Sequence, residues 1–263
     1  MPEKINIIIS DWQILFREGI HYTISSEEDL VVIGETLNED ELLHMIMKQK
    51  PNLVIANIGK ENFSGLEVFK QVKRELPSVN FIITLDIYDE KNVYTLLKNG
   101  VNAFICKDNT PDEVIKVIRA AGNGLFPIAT VLLKPVIAEM VIHEFEKFLS
   151  VDLFLEKYMA PLNQTEVNLL KTVSRNEKLN DEGRPVIEIA QCLESIRNKL
   201  VANSHHYEIF FTARSQIQAV SSPDDLSNRF VTIEDFNEFR IRIENQIRQI
   251  QKTIEMTLKP ANQ

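Results

Sequence analysis

Cysteine is scarce in this sequence. Its 263 residues hold two, Cys106 and Cys192, far apart along the chain. That excludes a disulfide scaffold and a zinc ribbon, and suits a reducing compartment. A positive charge balance is also missing. Lys and Arg number 29 against 38 Asp and Glu, a formal charge of -9, which excludes a chain-wide basic coat for nucleic acid. Long apolar runs are absent too. The longest uncharged, mostly apolar stretch, Ala120 to Leu133, stops at Lys134, short of the ~20 residues a membrane span needs. The opening MPEKINIIIS lacks the apolar core of a signal peptide. These absences point to a cytoplasmic protein with no membrane partner. No Walker loop, HExxH motif or nucleophile–base–orienter set occurs. The chain is therefore read as a non-enzyme, with no catalytic residue, cofactor or metal.

What is present is enough apolar sequence, 44%, to build real cores in about two domains. Residues 4–121 alternate short Ile- and Val-rich runs with amphipathic stretches. Candidate strands are Ile5–Ser10, Leu30–Gly34, Leu53–Ala56, Phe81–Leu85 and Ala103–Cys106. None alternates strictly, which predicts burial on both faces. Helices are expected at Glu39–Lys48, Gly65–Glu75, Glu90–Lys98 and from Pro111 to about Ala121. Asn38 with Glu41, and Thr110 ahead of Pro111 and Glu113, read as helix starts. Strands separated by helices in this way predict a doubly wound five-stranded parallel α/β sheet. The chemistry of such folds lies beyond the carboxyl ends of the strands. Those ends carry Ser10 and Asp11, Asn57, Thr84 and Lys107.

This order resembles the receiver domain of response regulators over roughly residues 4–123. The stretch Ser10 to Gly19 looks like the start of the NarL/LuxR (FixJ) type, and Gly65–Leu66–Glu67 and Gly100 followed by Phe104 to Asp108 match further. The resemblance implies a receiver-like, flavodoxin-like fold in a two-component signalling protein. It also exposes departures. An acidic pair is expected after the first strand, and here it is Ser10–Asp11. The phosphoacceptor aspartate falls at Asn57, and an amide cannot form the acyl phosphate that a carboxylate forms. Magnesium favours anionic oxygen ligands, and Asp11 alone supplies one. The expectation is a degenerate, metal-free pocket closed by an Asp11–Lys107 contact, with Asn57 and Thr84 hydrogen-bonded into it. Asp86 and Asp89 read as solvated loop acids.

The expected organisation is a pseudo-receiver at 1–124, a helical linker at 125–160, a degenerate helix-turn-helix domain at 161–230 and a long C-terminal helix at 231–263. In the linker, Leu132 to Phe148 repeat at helical steps, with Pro135 marking a start or a kink. A second linker helix would hold Phe154, Leu155, Tyr158 and Met159. Asn163 and Glu166 open the next helix. Leu162 to Glu166, and Glu188–Ile189–Ala190, resemble the opening of a LuxR-type helix-turn-helix across about 162–214, with a longer loop and Glu194 where a glycine is expected at the turn.

The recognition helix would run from about Ile196 to Phe211. It offers Arg197, Asn198, Lys199, Asn203, His205 and His206, with Arg214 beyond, as DNA contacts. Adjacent His205 and His206 diverge on a helix, which disfavours a zinc site with Cys192. Residues 126–263 carry 16 Lys and Arg against 19 Asp and Glu, so DNA binding would need a locally basic face. Ser222–Pro223 reads as another helix start. Phe239, Ile243, Ile247, Ile250, Ile254 and Leu258 form a stripe that must be buried, either on its own domain or in a dimer. Two functions fit: a dimeric, phosphorylation-independent DNA-binding regulator of transcription, or an adaptor that holds a protein partner through its C-terminal helices.

Overall fold

The structure is a computed structural model describing residues 4–57, 64–150, 158–177 and 186–220. The expected helices at 154–159, after Ser222 and from Thr232 fall wholly or largely outside these residues. Five strands, β1 (Ile5–Ser10), β2 (Leu30–Thr36), β3 (Leu53–Asn57), β4 (Asn80–Leu85) and β5 (Ala103–Cys106), form one parallel sheet in the order β2-β1-β3-β4-β5. Between and after them lie α1 (Ile14–Ser25), α2 (Glu39–Gln49), α3 (Ser64–Glu75), α4 (Glu90–Asn99) and α5 (Pro111–Gly122). A 3-10 helix (Pro127–Leu133) follows, then α6 (Pro135–Ser150), α7 (Gln164–Ser174) and α8 (Val186–Val220).

Helices cover both faces of the sheet, so each strand sends apolar side chains to two cores. Ile7, Ile9, Ile55, Ile82 and Ile105 pack with Ile20 and Ile24 of α1 and Ile115 and Ile118 of α5. Ile8, Val54, Phe81 and Ile83 face the other way, onto Ile46, Phe69, Val72 and Val93. That second core continues without interruption through Leu132, Val141, Phe148, Leu170 and Leu200 of the later helices.

The start signals act as expected. Asn38 Oδ1 accepts from Asp40 N at 2.8 Å, although Glu41 turns to Thr36 Oγ1 at 2.5 Å instead of closing the cap. Thr110 with Glu113, and Asn163 with Glu166, form full capping boxes. Pro135 starts α6, where the missing N–H costs nothing. Gly100 caps α4 with φ of 86°, a left-handed conformation that glycine adopts without strain. No described single helix is long and apolar enough to cross a membrane.

One expectation fails. The helix-turn-helix reading places a turn at Glu194, but Val186–Val220 is a single helix. No glycine or proline occurs within it, and glutamate is a good helix former, so nothing at Glu194 stops the helix.

Candidate functional site at the carboxyl edge of the sheet

Asp11 sits just past β1 beside the position where the strand order reverses, the usual location for ligand chemistry in such sheets. It is 2% exposed. Oδ1 accepts from the Gln13 backbone N–H at 2.8 Å. Oδ2 accepts from Thr84 Oγ1 at 3.0 Å and from Asn57 Nδ2 at 3.2 Å. Arg17 Nη1 donates to its backbone carbonyl at 3.0 Å. Both oxygens of the buried carboxylate are thus engaged, by donors from the turn into α1, from β3 and from β4. Ser10 is buried at the end of β1, in register with Thr36 and Ala56.

Lys107 does not close onto Asp11, as expected from the sequence. Its Nζ donates to Asp86 Oδ1 and Gln13 Oε1. Gln13 Nε2 reaches the same Asp86 oxygen at 3.3 Å. Asp86, an acid just beyond β4, intercepts the lysine. Three loops are thereby tied across the mouth of the site, with Lys107 Nζ 5.3 Å from the Phe16 ring centroid and 6.0 Å from that of Trp12. Asp89 is occupied as the N-cap of α4, accepting from Asn92 N at 2.9 Å. Sequence reading thus missed Gln13 and Asp86 as Lys107 partners. The available signal was that both sit within three residues of a strand end. A cavity of about 580 Å³ lined by Trp12 to Phe16 lies at this edge, and Trp12, Ile14 and Leu15 are exposed there.

The response regulator receiver domain model matches residues 7–119. Over these residues the chain is similar to a receiver domain. It is 29% identical over 137 residues to the uncharacterized transcriptional regulatory protein YxjL of Bacillus subtilis, covering 52% of this chain and 63% of that relative. It is 27% identical over 179 residues to the uncharacterized transcriptional regulatory protein YhcZ of the same organism, covering 68% and 78%. The response regulator protein VraR of Staphylococcus aureus is 26% identical over 120 residues, with 46% and 57% covered. The chain thus spans less than two thirds of the length of YxjL and VraR. Among solved structures, the receiver domain of the putative response regulator NarL from Mycobacterium tuberculosis is 24% identical, with a TM-score of 0.44 over 47% of this chain and 99% of that one. RcsB from Salmonella typhimurium is 18% identical, with a TM-score of 0.45 over 74% and 98%. The relatives matched in sequence are named as regulators, in keeping with a non-enzyme.

The expected DNA-contacting residues lie on α8, and several of them face inward. Arg197 is 3% exposed. Its Nη2 donates to the Gly100 carbonyl of the receiver at 3.0 Å, and its guanidinium carbon lies 3.3 Å from the Phe126 ring centroid. Burial lowers its pKa to about 9. Asn203 is clamped to the backbone of Ala160, donating to its carbonyl at 3.0 Å and accepting from its N–H at 2.8 Å. His206 Nδ1 meets the Tyr158 carbonyl at 3.0 Å; a carbonyl only accepts, so Nδ1 carries the proton.

Lys199 pairs with buried Glu166 at 2.7 Å, and Ser195 donates to the same carboxylate at 2.6 Å. Burial raises the Glu166 pKa, but the hydrogen bonds from Lys199 and Ser195 outweigh it and hold the carboxyl below its ordinary value. Asn198 and His205 are half-buried. Arg214 falls further along the same helix. Arg197, Asn203 and His206 are therefore not brought together on a solvent-facing surface, and polar character alone did not reveal their direction. Among the described residues, no three His, Cys, Asp or Glu side chains converge as a metal site.

Proposed function

We propose that the chain is a NarL/LuxR-type response regulator that controls transcription as a cytoplasmic homodimer without phosphorylation of its receiver. The carrying observation is Asn57. It stands at the end of β3, where the family's resemblance puts the phosphoacceptor, and its amide donates to Asp11. An amide lacks the nucleophilic carboxylate oxygen that an acyl phosphate requires. The hydrogen-bonded hub holds one carboxylate, Asp11, engaged by Asn57 and Thr84, and Lys107 is held by Asp86 instead. The names of YxjL and YhcZ support the transcriptional part.

The alternative is an adaptor that binds a protein partner instead of DNA. It is favoured by the burial of Arg197, Asn203 and His206. Selection of random genomic fragments with the full-length protein at two salt concentrations separates the readings. Paired half-sites whose affinity falls as salt rises establish transcriptional control. No enrichment from a folded sample leaves the adaptor. In parallel, an acyl phosphate donor should leave residue 57 unlabelled; stable labelling there overturns phosphorylation independence.

A further inference from the structure

Arg197 is poorly matched to its surroundings. A buried guanidinium is ordinarily met by a carboxylate, because desolvation of an uncompensated cation is costly. Here its partners are a receiver carbonyl at 3.0 Å, the amide oxygen of neighbouring Asn198 at 2.8 Å, and the face of Phe126. Its Nε has no acceptor among the described residues. Glu194, one turn earlier on α8, is exposed and attracts the guanidinium without contacting it, too weakly to offset its burial. The charge that faces Arg197 from the receiver is another cation, Lys73 of α3. Lys73 donates to the Pro77 carbonyl at 3.2 Å, and its pKa is lowered to about 7 by burial and by Arg197.

The rest of this seam fits well. Ile196 and Leu200 are fully buried, and Val201 lies so close to Gly100 that a Cβ there would sit 3.2 Å from it. Close apolar packing is therefore combined with one buried cation that no carboxylate contacts.

We propose that Arg197 is a release element, a buried cation that lowers the cost of opening the seam between α8 and the receiver. On opening, the guanidinium regains water and Lys73 loses a like-charged neighbour, which offsets part of the lost apolar contact.

Hydrogen exchange on the full-length chain tests this with Arg197→Met, which keeps length and apolar bulk. Amides at 93–101 and 193–206 should exchange roughly tenfold more slowly, while those of α1 and α5 stay unchanged. Faster or unchanged exchange at the seam, or loss of folding, overturns the proposal and makes Arg197 a strut. Lys73→Met leaves Arg197 in place and removes its like-charged neighbour. It should slow the same amides by a smaller factor, and acceleration there also overturns the proposal.

Discussion

On one face of the sheet the core ends at α1 and α5, built from strands and helices within the first 121 residues. On the other it runs past α2, α3 and α4 into the 3-10 helix, α6, α7 and α8. The first face is closed almost entirely by aliphatic side chains. The second is finished with a polar set as well: Glu166, Arg197, Asn203 and His206, all buried. The contrast shows two ways of covering a sheet. Local amphipathic helices need only area. A wall added from later in the chain is also fixed in register, by the hydrogen bonds of Glu166, Asn203 and His206, while Arg197 works against it.

The largest expected effect comes from Phe148→Ala. This ring, 1% exposed, sits against Phe145 and Tyr207 where α6 meets α8. Its removal should cost about 3–5 kcal/mol in urea denaturation. Hydrogen-exchange protection should fall first in α4, α6 and α8 while α1 and α5 keep theirs. Equal loss on both faces would erase the distinction. Gly100→Leu comes next. It places a side chain at φ of 86° and into Val201, which should cost about 2 kcal/mol or more and loosen the second face alone.

A smaller effect is the pH response of the added wall. Burial lowers the pKa of both His205 and His206. A base depressed in the folded state takes up its proton more readily when unfolded. Stability is therefore whole above the unfolded value near 6.5 and declines as pH falls below it. His205 is also faced by Glu208, His206, Lys70 and Arg74. His206→Asn, which retains a donor for the Tyr158 carbonyl, should flatten part of the fall in Tm between about pH 7 and pH 5. An unchanged slope would exclude His206 as a contributor.

The receiver half was legible in sequence because every strand is a short apolar run and every expected cap uses a side chain suited to it. Asn38 and Thr110 needed no tertiary context. The pocket was half legible. Strand ends brought Asp11, Asn57 and Thr84 together, but the partner of Lys107 depended on how the loop carrying Asp86 folds back, and strand spacing contains no such information. The helical half was misread for a different reason. Polar residues on a helix suggest a solvent-facing side, whereas Arg197, Asn203 and His206 share the inward face with Leu193, Ile196 and Leu200. The absence of glycine at Glu194 is the sign that one helix continues.

The placement of the 3-10 helix has a consequence for self-association. In the order β2-β1-β3-β4-β5, the last strand is an edge with unpaired backbone groups on its outer side. The 3-10 helix packs against this strand, and Ile128 N donates to the Asn102 carbonyl just ahead of it at 3.1 Å. Asn102, itself fully buried, donates to the Leu125 carbonyl at 3.3 Å and accepts from Phe81 N at 3.0 Å. The segment that leads into the added helices thus also covers the start of this edge strand. Natural proteins blunt exposed strands by covering them in this way.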